Sequence, residues 1–222
     1  MGIGAPGSQG TSALQNMSIG FGSSAGVGGT AVGYGATAGV NSVAVGSGAI
    51  AQGPNDVAVG YHANDGASGG VAIGANASIS HLANNAVALG SGATVGPNGA
   101  NSVAIGAGSV ANDPNVVSFG SPGAERRLTN VAAAINNTDA PNYGQVKKAY
   151  GGVALAFAMT AVSPSLNTGE QSISGGFGDY VGQQGYSFRY QARPRDNIFV
   201  GAAIGVTGTG EVGGSAGVGF KW

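Results

Sequence analysis

Cysteine is absent from all 222 residues, which excludes disulfide staples and thiolate metal sites and leaves stability to packing and assembly. Charge is scarce too: Asp, Glu, Lys and Arg make up 8% of the chain, and no Lys or Arg precedes Arg126. Residues 1–125 carry only Asp56, Asp65, Asp113 and Glu125, for a net of -4, while the remainder holds eight Lys or Arg against five acids, for +3. A segment without a basic side chain cannot neutralise phosphates, so nucleic acid is excluded as its partner. Long apolar runs are also missing, because the uncharged stretch 149–162 falls short of the roughly 18 residues of a lipid-spanning helix. No N-terminal segment has the basic, apolar and small-residue layout of a secretory signal. An exported form is therefore expected to have lost that peptide, and Met1-Gly2 reads as an artificial start.

Glycine is abundant, at 45 residues. Strict Gly-X-Y periodicity is missing, which excludes collagen, and regularly placed Val, Ile and Leu argue for order over disorder. A signature of Ala or Ser, a hydrophobic residue and Gly recurs eight times, ending at Gly20, Gly33, Gly46, Gly60, Gly74, Gly90, Gly106 and Gly120, with spacings of 13, 13, 14, 14, 16, 16 and 14. That period is too short for a helix pair and suits one solenoid coil of two short strands. In the repeat 41–51, Val43 and Val45 alternate with Ser42 and Ala44. The valines are expected to face a core and the alanines to permit close approach of a neighbouring chain. Turn clusters 54–56, 63–66 and 96–99 are expected on the outer surface, accounting for the drift in spacing.

No catalytic constellation emerges. Gly208-Thr209-Gly210-Glu211-Val212-Gly213 fits G-x-G-x-x-G, but the residues after it alternate like a strand and provide no helix N-terminus for a pyrophosphate, so a hairpin turn explains it. His62 and His81 read as exposed loop residues rather than metal ligands. Asp56, Asp65 and Asp113 lack the nonapeptide pattern of calcium-binding β-rolls. A polysaccharide lyase would need the Lys or Arg that the repeats lack. No enzyme activity, cofactor or metal is expected.

At residues 121–150 charges and amides cluster. Following solenoid repeats, this segment resembles the neck of trimeric autotransporter adhesins of the YadA type, which reads Arg-Gln-Leu-Thr-x-Val-Ala-Ala and then Asp-Ala-Val-Asn-x-x-Gln-Leu. Arg127, Leu128, Thr129, Val131, Ala132, Ala133, Asp139, Ala140, Asn142 and Gln145 match that pattern. Pro141 stands where valine is usual, and Arg127 follows a second arginine, Arg126. The repeats 41–46 and 101–106 look like the family's Asn-Ser-Val-Ala-Ile-Gly unit. The resemblance implies a left-handed parallel β-roll head packed as a trimer, although the family's long coiled-coil stalk is missing between neck and C-terminal domain.

Residues 145–163 read as a helix about 28 Å long at ~1.5 Å per residue. It could face lipid, fill a globular core, or lie inside a protein pore. Its Ala and Gly content suits close packing. After Pro164, strands of about ten residues alternate an apolar face with a small or polar one. Ile198, Val200, Ala202, Ile204 and Val206 oppose Phe199, Gly201, Ala203, Gly205 and Thr207, and the last strand ends at Phe220 and Trp222. A soluble sandwich would alternate in the same way, but four such strands with a terminal aromatic match an outer-membrane barrel. Four strands cannot close one. Two copies would leave no room for helices, whereas three give twelve strands and a lumen that admits three helices.

The expected fold is thus mainly β: a trimeric left-handed parallel β-roll head (1–120), a neck (121–144), a pore-filling helix (145–163) and four strands (164–222) contributing to a 12-stranded trimeric outer-membrane barrel. The resemblance implies a homotrimeric surface adhesin of a Gram-negative cell, anchored in outer-membrane lipid and exported through its own barrel. A structural trimeric fibre or minimal translocation anchor without a ligand is the alternative, and a secreted soluble solenoid is a third reading. Asn41, Ser42, Val43, Asn101, Ser102, Val103 and Ile105 are candidate contacts to a matrix protein such as collagen. Arg126, Arg127, Leu128, Asp139, Asn142 and Gln145 are candidate neck trimerisation residues. Phe220 and Trp222 resemble the signal read by the outer-membrane assembly machinery, and Gly201, Gly205, Gly213, Gly217 and Gly219 would clear lumen space for the helices.

Overall fold

The structure is a computed structural model that describes residues 16–160 and 164–222. It divides into two compact units, Met1–Arg127 and Leu128–Trp222. The division falls beyond the expected head boundary at residue 120. Arg126 explains why: its guanidinium donates to Ser109 Oγ at 2.8 Å, the Phe119 carbonyl at 2.8 Å and the Ala107 carbonyl at 2.5 Å. It therefore caps open acceptors of the last coil and belongs to the first unit.

In that unit, one parallel sheet stacks β1 (Met17–Ile19), β3 (Thr30–Val32), β5 (Val43–Val45), β7 (Val57–Val59), β9 (Val71–Ile73), β11 (Val87–Leu89), β13 (Val103–Ile105) and β15 (Val117–Ser118) in that order. A second stacks β2 (Ser24–Ala25), β4 (Thr37–Ala38), β6 (Ile50–Ala51), β8 (Asn64–Asp65), β10 (Ser78–Ile79), β12 (Thr94–Val95) and β14 (Val110–Ala111). Each signature contributes one strand of the first sheet. Its glycine is required by contact as well as conformation: Gly46 has φ +135°, and a Cβ there would overlap the Gly60 carbonyl of the next coil.

The inside and outside of the roll are the reverse of the expected arrangement. Ala31, Ala44, Ala58, Ala72, Ala88 and Ala104 are fully buried, whereas Val43 and Val45 lie half-buried on the outward face. Strands of two and three residues enclose an interior only a few atoms wide, and methyl groups fill it. Coil length tracks interior volume. The largest fully buried apolar side chains, Ile79 and Val95, occupy the two coils with 16-residue spacing, while the shorter coils place Ala25, Ala38, Ala51, Asp65 and Ala111 at the matching position. Asp56 and Asp65 are a second correction. Each belongs to a turn cluster expected outside, yet both are fully buried because alternation points them inward.

The second unit begins with extended chain leading to α1 (Tyr143–Thr160). The helix starts two residues before the expected Gln145, and residues 161–163 of the expected span lie outside the described residues. Its start is a capping box: Asn142 Oδ1 accepts the Gln145 N–H at 3.1 Å, and Gln145 Oε1 accepts the Asn142 N–H at 3.2 Å. Pro141 precedes the cap, where its missing N–H removes no helical bond. The antiparallel strands β16 (Gln171–Tyr180), β17 (Gln183–Arg195), β18 (Ile198–Thr207) and β19 (Val212–Phe220) follow, each paired only with its sequence neighbours. Gly151, Ala154, Leu155 and Ala158, spaced i, i+3, i+4 and i+7, form the buried stripe of α1 against this sheet.

The narrow interior yields a prediction. Ala58→Leu should destabilise the roll by about 1–3 kcal/mol, as overpacking does, and lower its thermal midpoint by circular dichroism. Val59→Leu on the outward face should change the midpoint much less.

Candidate functional site

The structure separates the candidate head residues. Asn41 and Asn101 are exposed and adopt left-handed backbone, φ 53° and 58°, which asparagine tolerates in turns. Ser42 and Ser102 are fully buried, bonded into the turn of the next coil, and cannot touch a ligand; this corrects their expected role as contacts. Val43, Val103 and Ile105 are half-buried in outward ladders. One ladder aligns Met17, Thr30, Val43, Val57, Val71, Val87, Val103 and Val117; the other aligns Ile19, Val32, Val45, Val59, Ile73, Leu89 and Ile105. Beside them, Phe21 stacks on Tyr34 with ring centroids 5.9 Å apart.

The neck candidates have bonds within their own chain. Gln145 also accepts the Ala134 N–H at 2.8 Å and donates to the Ala134 carbonyl at 3.0 Å, tying the extended segment to the helix start. Asn142 Nδ2 donates to the Val131 carbonyl at 3.3 Å. Asp139 accepts the Ile135 and Asn136 N–H groups at 3.0 and 2.9 Å, and these bonds hold its carboxyl below the ordinary aspartate value. Arg127 and Leu128 are exposed.

The anchor sheet has two different faces. Ile173, Phe177, Phe188, Ile204, Val212, Val218 and Phe220 point away from α1 and are more than half exposed. The opposite face is cleared of side chains where α1 crosses it. A Cβ on Gly176 would overlap the Ala158 carbonyl, one on Gly178 the Ala154 carbonyl, and one on Gly185 the backbone of Leu155. Of the expected lumen glycines, Gly205 and Gly213 meet Leu155. Gly201, Gly217 and Gly219 meet no helix atom within 4 Å, because α1 ends before their level of the sheet. The tighter trio 176, 178 and 185 was legible as glycine on the same alternating face and was missed. Lys148 pairs with Glu211 at 3.2 Å near the helix start. Phe220 lies on the outward face, and Trp222 is fully exposed beyond the last strand. Among the described residues no helix is long and apolar enough to cross a membrane, and no group of three or more His, Asp or Glu residues could hold a metal.

Residues 164–222 match the YadA-like membrane anchor domain, and residues 39–63 and 98–121 match the YadA head domain repeat. The crystal structure of the collagen-binding domain of Yersinia adhesin YadA is similar with a TM-score of 0.56 and 37% identity, across 61% of this chain and 75% of that one. The chain belongs to the YadA-type trimeric autotransporter adhesins. Autotransporter adhesin EhaG of Escherichia coli O157:H7 is 28% identical over 49% of this chain, which spans 8% of that relative's length. As a YadA-type adhesin, the protein has an outer-membrane anchor and a head displayed at the cell surface. The matching families are adhesins and anchors, not enzymes. The four strands lie within the part of the chain that matches the anchor domain, residues 164–222.

Gly178 is the sharpest test of helix docking in the anchor. Gly178→Leu should prevent α1 from lying on the sheet and lower the thermal midpoint of the detergent-solubilised protein by circular dichroism. Gly175→Leu, on the outward face, should change that midpoint much less.

Proposed function

We propose that three copies of this chain assemble a 12-stranded barrel that holds three copies of α1, displays three β-rolls for attachment to host matrix or other surfaces, and serves the export of those rolls. The observation that carries the reading is the anchor sheet: one face is apolar and exposed, the other carries a helix, and both edge strands lack a partner among the described residues. Unpaired backbone groups cost several kcal/mol each in hydrocarbon, so edges must be joined, and three copies leave the lumen wide enough for three helices. The two outward Val/Ile ladders of the head supply a second apolar face for contact between copies. Attachment to a matrix protein such as collagen draws support from the likeness to the Yersinia collagen-binding domain. A trimer would present each weak site three times and gain avidity.

A second reading, a structural fibre or translocation anchor with no ligand of its own, is favoured by one observation. Ser42 and Ser102 serve the coil itself, so the repeat has a sufficient structural role. Exposed Asn41 and Asn101, the outward ladder residues and Arg127 with Leu128 remain the proposed contacts to ligand and to neighbouring copies. Phe220 and Trp222 remain the proposed signal for the assembly machinery.

The detergent-extracted protein should migrate as a three-chain species before boiling and as a single chain after it. A detergent-independent monomer would overturn the barrel. Binding of the intact trimer to immobilised collagen and other matrix proteins then separates the adhesive reading from the ligand-free one.

A further inference from the structure

The alanine-rich interior of the roll also admits polar side chains. In two coils a serine inserts into the turn of the coil that follows. Ser42 Oγ donates to the Gly53 carbonyl at 2.8 Å and accepts the Asp56 N–H at 3.0 Å. Ser102 Oγ donates to the Asp113 carbonyl at 2.6 Å and accepts the Val116 N–H at 3.0 Å. A hydroxyl can fill both roles because it is donor and acceptor at once.

One coil after Ser42, the equivalent position is Asp56. Its Oδ1 accepts the Gly70 N–H at 3.2 Å, which reproduces the acceptor half of the serine arrangement. The carbonyl corresponding to Gly53 and Asp113 is that of Ala67, and among the described residues nothing donates to it. Asp56 Oδ2 is buried and has no partner. A Cβ placed on Gly53 would overlap the Ala67 carbonyl oxygen and sit 2.6 Å from Asp56 Oδ2, so both oxygens face Gly53. An ionised carboxylate only accepts, and two acceptors left without donors in a dry interior are costly. One proton on Oδ2 would complete the serine pattern.

Asp65 grips the same turn from the other side. Its Oδ1 accepts the Ala67 N–H at 3.1 Å, its Oδ2 has no partner, and the carboxylate lies against Cα of Gly70. Burial raises both carboxyls above the ordinary aspartate value, Asp65 to about 6 with the charge of Asp56 adding to the effect. No cation offsets them, since no Lys or Arg precedes Arg126. Of the nearby histidines, His62 lays its ring over Gly48, and His81 presents its backbone to Gly66. Asp65 faces the charge of Asp56 once that group ionises.

We propose that Asp56 is held as a carboxylic acid whose proton is donated to the Ala67 carbonyl, forming with Asp65 a proton-loaded clasp that ties turn 67–70 to the coil before it and loosens as the pH rises. No atom is exchanged except that proton, which returns to solvent on opening. The direction follows from linkage: a carboxyl whose value is raised on folding contributes its full stability below the ordinary aspartate value and loses it as pH climbs through its raised value, which for Asp65 is about 6.

The test is thermal unfolding of the intact detergent-solubilised protein at pH 5 and pH 8 in the presence of a chelator. The wild-type head should melt on the order of 5 °C lower at pH 8. Asp56→Asn supplies an amide donor for Ala67 and a carbonyl acceptor for Gly70 at either pH, so it should shrink that difference, and Asp56→Asn with Asp65→Asn should remove it. Infrared difference spectra provide a readout that needs no variant to match wild-type stability: a protonated-carboxyl band should be present at pH 5 and fade by pH 8. A wild-type midpoint that does not change with pH, or the absence of that band, would overturn the clasp. Recovery of the pH 8 midpoint on adding calcium would also overturn it, in favour of a cation seated between the two carboxylates.

Discussion

The width of one coil governs the head. Strands of two and three residues bring opposite walls so close that a methyl group fills the space between them, and every other choice in the repeat follows. Alanine goes inside, the larger aliphatic residues go outside, and the coil must lengthen before isoleucine or valine can enter, as at Ile79 and Val95. The glycines closing the first six signatures obey the same constraint along the stack, since the carbonyl of the next coil already occupies the volume of each missing Cβ. So narrow a roll buries little apolar area per residue, and its stability rests on stacking through parallel backbone ladders.

The anchor solves a similar spatial problem at a different interface. A helix can lie on a sheet at backbone distance only where both surfaces are stripped, and here Ala158 meets Gly176, Ala154 meets Gly178, the backbone of Leu155 meets Gly185, and Gly151 faces Thr207. Leu155 is the exception that fixes position, because its side chain fills the hollow above Gly205 and Gly213. The same sheet turns aromatic and aliphatic side chains outward. Its two faces thus suit different neighbours, backbone on one side and, in the proposed barrel, hydrocarbon on the other.

Much of this was legible in the sequence, with one systematic blind spot. Recurrence of the signature glycines every 13 to 16 residues revealed the coils, and period-two alternation revealed the four long strands and their faces. Alternation does not say which face is the interior, and preference for burying the larger side chain put Val43 and Val45 inside. That rule fails when the cavity is smaller than valine. Ser42 was misjudged for the same reason, since a polar residue beside a turn reads as a surface contact until the turn of the next coil is known to close over it. The cap at Asn142 and Gln145 was visible as Asn-x-x-Gln, but their match to a neck pattern directed attention to contacts between chains and away from the bonds each makes within its own.

Asp56 and Asp65 show how far a repeat can be varied before its chemistry changes. Serine, aspartate and glycine succeed one another at positions 42, 56 and 70, and backbone geometry around them is kept nearly constant by the ladders on either side. What changes is whether the inserted side chain can both give and take a hydrogen bond. Serine can do so at any pH, glycine at none, and aspartate only while it keeps its proton. In a roll with no basic residue before Arg126, no side chain can substitute a positive charge for that proton. The scarcity of charge that excludes nucleic acid from the head also places its two buried aspartates under the control of the surrounding pH.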